Sequence, residues 1–327
     1  MDTGTHIAMG IALGGLATLD PAVSQDPKLH QMIMIGTIIG SNAPDFDTIL
    51  KLKSNAIYLR HHRGITHSIP AVLLWPIFIA FAIYQFEPGV NFLHLWLWTF
   101  LAVALHIFVD LFNGYGTQAL RPFSHQWIAF GIIHTFDPFI FGMHIIGIAL
   151  WLFGYAPAPV FLSIYAILTV YVGWRTYIHR LLIKQVKRRI PGVEEVIISP
   201  TIHWNKWHIA VKTKDKFYVA HARKLQLAIL DVYKRRPVPQ SPVVDAAKQD
   251  PNLSAFLAFS PVYRWDIEPT SDGHEVRFTD LRYRSKGRYP FIAVVKLDKQ
   301  LNIIQSYTGW IYNKDKLKKK LKTANSY

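Results

Sequence analysis

The 327-residue chain contains no cysteine, which excludes disulfide bonds and thiolate metal ligands. A metal site in this chain therefore has to use histidine, aspartate, glutamate or backbone oxygen. The N-terminus, which reads Met-Asp-Thr-Gly-Thr-His, also lacks the basic residues and the small-residue cleavage site of a signal peptide. We therefore expect the first apolar segment to remain in the mature protein.

Charged residues are scarce in the first half of the chain. Residues 1–178 carry 7 Lys and Arg against 8 Asp and Glu, whereas the remaining residues carry 29 against 13. The mean hydropathy of +0.17 and the aromatic content of 14% are high for a soluble protein. This asymmetry predicts a membrane domain in residues 1–180 and a basic soluble domain in residues 190–327.

Apolar segments dominate the first of these domains. Four of them approach the ~20 residues that cross a bilayer, and two shorter segments precede these four. In chain order, the six segments are residues 7–19, 32–39, 69–86, 92–112, 139–155 and 159–178. They predict an α-helical polytopic membrane domain of about six helices. The distribution of Lys and Arg between the loops predicts a multi-pass protein of the cell membrane whose C-terminal domain is cytoplasmic.

The second domain has a different pattern. Short segments with partly alternating apolar residues are typical of β-strands, and they lie at residues 193–199, 207–213, 216–220, 263–267, 275–283 and 291–297. The segments 224–236 and 242–259 have helical spacing instead. Because gaps of hairpin length outnumber longer ones, we predict an α+β domain with antiparallel strands.

Metal-ligand residue types lie in or beside the apolar helices, and the predicted topology places them all at the cytoplasmic ends. Ionisable residues at membrane depth cost roughly 2.5–3.5 kcal/mol and usually mark function. His106 and Asp110 are four residues apart and therefore share one helix face. We predict a single divalent metal ion, Zn²⁺, Mn²⁺, Fe²⁺ or Mg²⁺, because imidazole and carboxylate groups suit these ions. The predicted ligands are His6, Asp45, His67, His106 and Asp110.

Three further residues are predicted to take part in catalysis. Asp47 is a ligand or the base that takes a proton from metal-bound water. His62 is predicted to protonate a leaving group, because a histidine side chain can change its charge near neutral pH. Arg63 can hold a phosphate oxygen bidentately. Together these residues predict hydrolysis of a phosphate ester or phosphodiester in a lipid or another membrane-borne substrate.

Each group also has a structural interpretation. His106 and Asp110 could form a hydrogen-bonded pair between helices, and Asp45 and Asp47 could cap the next helix. We favour a shared site because these sequence-distant groups fall at one depth on one side of the membrane. Three histidines outside this layer are predicted to be structural, namely His30, His94 and His144.

These motifs resemble the inner-membrane metal-dependent hydrolases described as LexA-regulated or LexA-binding. The matching segments are Thr5-His6 with Gly10, Pro44-Asp45-Phe46-Asp47, His62-Arg63-Gly64-Ile65-Thr66-His67-Ser68 and His106-Ile107-Phe108-Val109-Asp110. Residues 276–283 resemble the soluble extension of longer members. The resemblance implies a multi-helix membrane fold and a metal-dependent hydrolase activity.

The basic second domain supports a different class of function, a membrane-tethered regulator that binds nucleic acid or a protein partner. The sequence shows no helix-turn-helix, zinc-finger or RNA-binding signature. We therefore favour contact between its basic face and anionic lipid headgroups. A transport function is disfavoured, because the polar residues gather at one face of the bilayer. Asp280 and Arg282 are predicted to form a structural ion pair.

Overall fold

The computed structural model describes residues 1–323. The chain forms two compact units, each assembled from more than one segment. The first unit contains residues 1–47, 62–180 and 200–204, and the second contains residues 48–61, 181–199 and 205 onwards.

Helices make up most of the first unit. The eight helices that precede the β-strands are α1 (Thr3–Leu16), α2 (Pro21–Ser24), α3 (Pro27–Gly40), α4 (Asn55–His61), α5 (Ile69–Phe86), α6 (Phe92–Asp110), α7 (Pro138–Leu152) and α8 (Pro157–Arg189). Helix α4 belongs to the second unit, as do the residues of α8 after Arg180. Each of the six apolar segments predicted from the sequence lies wholly or mainly within a helix, and residues 111–112 and 153–155 follow the ends of α6 and α7. Of the described helices, α5, α6 and α8 are long and apolar enough to cross a membrane, while α1 and α7 are shorter apolar helices.

Polar side chains define where these helices begin. The Asp2 side chain accepts a hydrogen bond from the backbone N–H of Thr5 at the start of α1, and Ser68 accepts one from Ala71 at the start of α5. These are N-cap contacts, which satisfy N–H groups that have no partner inside the helix. Asp45 and Asp47 lie inside a 3-10 helix, Ala43–Leu52, that precedes α4. Their side chains are therefore not the cap of α4.

Helices α1 and α3 approach each other closely through glycine. A Cβ atom on Gly10 would lie 2.7 Å from Cα of Ile38 and 2.8 Å from the carbonyl oxygen of Thr37. Gly14, one turn further along α1, faces Met34, where a Cβ atom would lie 2.5 Å from the side-chain Cε and 3.3 Å from Cα. Small residues four apart let membrane helices pack with their backbones in contact. This packing fixes α1, which carries His6, against α3.

The outer surface of the long helices is apolar. Leu74, Phe78 and Phe81 on α5 are 48%, 62% and 59% exposed. Large apolar side chains exposed side by side on a long apolar helix are typical of a lipid-facing surface. The buried polar residues of the unit face inward instead.

The second unit contains two four-stranded sheets. The first has the order β1 (Val193–Pro200), β2 (Lys206–Thr213), β3 (Lys216–Arg223) and β4 (Gln226–Lys234). The second has the order β5 (Tyr263–Thr270), β6 (Gly273–Asp280), β7 (Phe291–Asp298) and β8 (Ile303–Trp310). The remaining helices are α9 (Pro242–Lys248), α10 (Pro251–Phe259) and α11 (Lys314–Thr323). The predicted antiparallel pairing is observed from β2 to β4 and from β5 to β8.

The prediction of a helix over residues 224–236 is wrong, because this segment contains β4. Lys224 and Leu225 have φ angles of 49° and 64°, and they join β3 to β4 as a two-residue hairpin loop. Such loops need positive φ at both positions and match the twist of the flanking strands. Ile229 and Val232, which gave the helical spacing, are each 48% exposed and do not face the core.

Two smaller differences also have local causes. The predicted helix over residues 242–259 is divided into α9 and α10, because Asp250 caps a new helix that begins at Pro251. Strand β8 was not predicted, and it pairs with β7 with an irregularity between Lys296 and Leu297.

The second sheet packs under α10. The Phe256 ring stacks on Phe291 with 5.6 Å between centroids. Asp280 and Arg282 form a buried ion pair of 2.7 Å, as the sequence suggested, and the Ser260 hydroxyl donates a hydrogen bond to Asp280. Because these polar groups satisfy one another, they can be buried beside the aromatic core.

Candidate metal centre

Side chains from distant parts of the first unit meet in one buried cluster. Helix α1 supplies His6, the 3-10 helix Ala43–Leu52 supplies Asp45, and a 3-10 turn, Ile65–His67, supplies His67. Helix α6 supplies His106 and Asp110 from successive turns of its last part. All five are the residues predicted as metal ligands. Apart from Asp45, each has an exposed fraction of 0%.

Four side-chain atoms of the cluster lie at nearly equal separations. Nε2 of His67 is 3.2 Å from Nε2 of His106, 3.5 Å from Oδ1 of Asp45 and 3.6 Å from Oδ2 of Asp110. Nε2 of His106 is 3.8 Å from Oδ1 of Asp45 and 3.7 Å from Oδ2 of Asp110. These five separations among the four atoms therefore all lie between 3.2 and 3.8 Å.

The hydrogen bonds of both imidazoles determine which nitrogen carries the proton. Nδ1 of His106 lies 2.6 Å from the backbone carbonyl oxygen of Ser41, which can only accept. The Thr66 hydroxyl donates to Asp47 and lies 3.1 Å from Nδ1 of His67, so this nitrogen donates to the hydroxyl oxygen. In a neutral ring the opposite nitrogen then carries a lone pair. Both Nε2 atoms therefore present lone pairs to the cluster.

The electrostatic surroundings keep these groups in metal-binding forms. Burial, followed by the neighbouring His106, holds the pKa of His67 well below its usual range, so the His67 ring is neutral at pH 7. Burial raises the pKa of the Asp45 carboxyl, but the neighbouring groups, the cationic Arg63 among them, together lower it by more, and the net shift is downward. Neutral imidazole and ionised carboxylate are the forms that bind a metal ion.

The four converging atoms have no hydrogen atom between them. The two imidazole lone pairs face each other, and within residues 1–323 neither Oδ1 of Asp45 nor Oδ2 of Asp110 has a hydrogen-bond partner, although the Arg63 guanidinium forms an ion pair of 3.2 Å with Oδ2 of Asp110. Buried acceptors left without a donor are costly. A divalent cation would satisfy all four at once. An ideal tetrahedron with bonds of ~2.0–2.2 Å has edges of ~3.3–3.6 Å, close to the measured separations.

His6 lies beside these four residues, in contact with His106 and with the α-amino group of Met1. Its ring stacks on His106 at 3.8 Å between centroids, and its Nε2 lies 2.7 Å from the α-amino nitrogen of Met1. That amino group also contacts Oδ1 of Asp110. His6, Asp45, His106 and Asp110 each offer one ligand atom within 4.8 Å of the others. The donor set of imidazole nitrogen and carboxylate oxygen therefore fits a divalent metal ion.

The residues predicted to act in catalysis lie directly beside this cluster. The Asp47 carboxylate accepts hydrogen bonds from Nδ1 of His62 at 2.7 Å and from the backbone N–H of Arg63 at 3.1 Å. Arg63 has a φ of 61°, an uncommon conformation for a residue with a side chain. Its backbone thus points towards Asp47, while its guanidinium lies 3.2 Å from Oδ2 of Asp110.

Three residues that contact the cluster, Ser41, Asn113 and Thr66, were not predicted from the sequence to take part in it. The Ser41 carbonyl orients His106, and a backbone oxygen gives no sequence signal. Asn113 donates a hydrogen bond to Oδ1 of Asp110 at 3.3 Å. Asn113 lies just beyond the end of α6, three residues after Asp110, and this proximity in the chain was the available signal. No role was predicted for Thr66, although it lies inside the segment His62-Arg63-Gly64-Ile65-Thr66-His67-Ser68.

The histidines predicted to be structural make separate contacts. His30 lies 3.0 Å from the carbonyl oxygen of Gly14, and His144 lies 2.8 Å from that of Ile140. His94 bonds to Asp20.

Comparison with known proteins places these residues in a family context. Residues 1–182 match the family described as the YdjM inner membrane protein. Residues 191–233 match the YfhP middle domain, and residues 242–321 match the YfhP C-terminal alpha/beta plait domain. A protein of Bacillus subtilis (strain 168), described as the uncharacterized protein YfhP, is 55% identical over 331 residues that cover 99% of this chain and 100% of that protein. No solved structure matches the chain.

Proposed function

The chain belongs to the family of the YdjM inner membrane protein, and we propose that it is a membrane-bound, metal-dependent hydrolase of a phosphate ester or phosphodiester. The substrate would be a lipid or another membrane-borne molecule. The observation that carries the proposal is the convergence of two imidazole lone pairs and two carboxylate oxygens with no hydrogen atom between them.

The proposed ligands are His67, His106, Asp45 and Asp110, with His6 beside them. Two imidazoles with two carboxylates suit Zn²⁺ or Mn²⁺ better than Mg²⁺, which prefers oxygen ligands. A bound divalent ion would supply Lewis acidity and lower the pKa of a water molecule towards ~7. The Ser41 carbonyl and Thr66 would hold the two rings in the required tautomer.

The neighbouring residues would handle the substrate and its proton. Nδ1 of His62 donates to Asp47, and Nε2 of that ring accepts a hydrogen bond from Nε of Arg63 at 3.4 Å. In the imidazolium form of His62, Nε2 would carry a proton that it could give to a leaving group. Asp47 itself accepts three hydrogen bonds, from His62, Arg63 and Thr66, and these favour an orienting role. The Arg63 guanidinium has five N–H donors and can contact a phosphate oxygen as well as Asp110.

An apolar groove beside the cluster supports a lipid substrate. It has a volume of about 260 Å³ and runs from Thr66 to Phe78 on α5. Thr66 therefore lines the groove while its hydroxyl lies 2.7 Å from Oδ2 of Asp47. A lipid whose phosphate lies at Arg63 could place its acyl chain along this groove, on a helix with the length and composition of a membrane span.

The activity test uses purified protein in mixed micelles with two lipids, the phosphomonoester phosphatidic acid and the phosphodiester phosphatidylglycerol. We expect product from at least one lipid with Zn²⁺ or Mn²⁺, and none after treatment with EDTA. His67→Ala should abolish turnover, whereas the control His94→Gln, whose ring bonds to Asp20, should retain it. No turnover of either lipid, or turnover that resists both EDTA and His67→Ala, would refute the proposal.

The proposal includes a multi-pass topology with the C-terminal domain in the cytoplasm, which rests on the distribution of basic residues. Because the chain has no cysteine, a Lys299→Cys variant carries a single thiol. A maleimide reagent that cannot cross membranes should label it in inside-out vesicles and not in intact cells. The opposite labelling pattern would reverse the orientation.

The basic domain keeps its two other interpretations. Contact with anionic lipid headgroups predicts vesicle binding that weakens steeply with salt. A regulator would instead bind duplex DNA tightly and selectively at physiological salt.

A further inference from the structure

The second unit contains a cavity of about 540 Å³ with an unusual lining. Its walls include the side chains of Arg264, Arg277 and Arg288 and those of Tyr233, Tyr289 and Tyr312. No carboxylate is among the lining residues in the described part of the chain. A second cavity, of about 380 Å³, shares Tyr233 and Arg264 with the first. We refer to the first as the arginine–tyrosine cavity.

The guanidinium of Arg264 has an N–H donor that makes no hydrogen bond in the described part of the chain. It lies over the Tyr233 ring at 5.2 Å from the centroid, and its Nε is 3.9 Å from the nearest Asp266 oxygen. That separation is too long for a hydrogen bond. Nε itself is buried and has no hydrogen-bond partner among residues 1–323, while the Arg264 side chain as a whole is 41% exposed. An unsatisfied buried donor on a cation favours an anionic partner.

The other two arginines of the cavity, Arg277 and Arg288, each make a contact that uses only some of their N–H donors. Arg288 donates to the carbonyl oxygen of Tyr312 at 3.4 Å, near the upper limit for such a bond. Arg277 pairs with Glu275 at 2.6 Å and remains 38% exposed. A guanidinium has five donors, so these contacts leave others directed elsewhere.

Contacts with neighbouring side chains fix the positions of the tyrosine rings. The Tyr289 hydroxyl donates to Asp231 at 2.6 Å, and Arg284 binds the same carboxylate at 2.6 Å. Tyr233 lies edge-on to Tyr289 with 5.9 Å between the centroids. Tyr312 stacks on Trp310 with 6.3 Å between the centroids and is 59% exposed, so its other face can stack on a planar ligand.

From this combination we infer that the arginine–tyrosine cavity binds a nucleoside phosphate. Arginine forks bind phosphate oxygens bidentately, and aromatic faces stack on nucleobases. The volume lies within the ~300–1,000 Å³ that is usual for small-molecule sites. This binding does not depend on the proposed hydrolase activity, since the two sites lie in different units.

The test is calorimetric titration of the full-length protein in detergent, with EDTA present so that the metal centre does not contribute. The probes are ATP and inorganic tripolyphosphate, which has the phosphates without the ring. ATP should bind more tightly than tripolyphosphate. Arg264→Ala and Arg288→Ala should each weaken ATP binding by ~10-fold or more, as expected for lost hydrogen bonds to a charged group.

Three variants distinguish binding in this cavity from general attraction between charges. Tyr312→Leu should weaken ATP by ~5-fold or more and leave tripolyphosphate unchanged, because stacking contributes ~1–3 kcal/mol per base. Lys299→Ala removes the same charge in the turn between β7 and β8, outside the cavity, and should change neither affinity by more than about twofold. Arg264→Lys keeps the charge and should still weaken ATP.

Several results would overturn the inference. These are absence of ATP binding up to ~1 mM, an equal loss in Lys299→Ala, or equal affinity for tripolyphosphate and ATP. Binding of duplex DNA without binding of ATP would also overturn it, in favour of a nucleic-acid surface.

Discussion

The hydroxyl of Thr66 donates a hydrogen bond of 2.7 Å to Asp47, a residue 19 positions earlier in the chain. The same oxygen accepts from Nδ1 of His67 at 3.1 Å. One small side chain therefore connects the residue that orients His62 with a proposed metal ligand. Such outer contacts fix the tautomer and orientation of a ligating histidine.

Replacing Thr66 by valine removes this connection and keeps the shape of the side chain. We expect Thr66→Val to lower the metal affinity by ~10–100-fold, the usual effect of losing an outer contact of a ligand. Titration of purified protein against a competing chelator measures this. The control is Thr176→Val, whose hydroxyl bonds to the Val172 carbonyl in its own helix. Equal affinity in Thr66→Val and wild type would show that the hydroxyl does not support the centre.

The close approach of α1 and α3 predicts a second effect. Gly10→Ala should lower the free energy of unfolding by ~1–3 kcal/mol, because the new Cβ would lie 2.7 Å from Cα of Ile38. Gly173→Ala is the matched control, since a Cβ at that helical position meets nothing within 4 Å. It should be neutral or stabilising by ~0.5–1 kcal/mol. Thermal unfolding in one detergent compares them, and equal stability of the two variants would contradict the described contact.

The ion pair of the second unit predicts a third effect. Asp280→Asn should destabilise the protein by ~3–5 kcal/mol, because it leaves the Arg282 charge buried opposite a neutral group. Glu194→Gln makes the same chemical change in the more exposed pair with Arg235, where we expect ~1 kcal/mol or less. Chemical unfolding followed by a signal from the β-sheets measures both. Similar losses in the two variants would mean that burial of the first pair has little effect.

The sequence predicted which residues gather in the candidate metal centre, because each of them lies near the point where a helix or turn begins or ends. Helical periodicity alone predicts that His106 and Asp110 lie on one face of a helix. The prediction that Asp45 and His67 join them also depends on the order of the apolar segments. The hydrogen bond from His106 to the Ser41 carbonyl could not be predicted, since it depends on how α3 and α6 pack. The orienting contacts of Asp47 likewise depend on the turn at Arg63.

The β-rich unit was harder to predict for a physical reason. In residues 224–236 the helical spacing of Leu225, Ile229 and Val232 competed with a hairpin loop at Lys224 and Leu225. Neither loop residue is the glycine or asparagine that normally signals positive φ. Strand β8 has no clear alternation, and its pairing with β7 is a long-range contact that local sequence does not report.

The metal content of the purified protein tests the central claim most directly. Elemental analysis after purification in detergent should find about one Zn²⁺ or Mn²⁺ per chain in wild type and in His94→Gln. His67→Ala and Asp110→Asn should lose most of it while keeping the wild-type circular dichroism spectrum. Wild-type metal content in both of these variants would contradict the proposed centre.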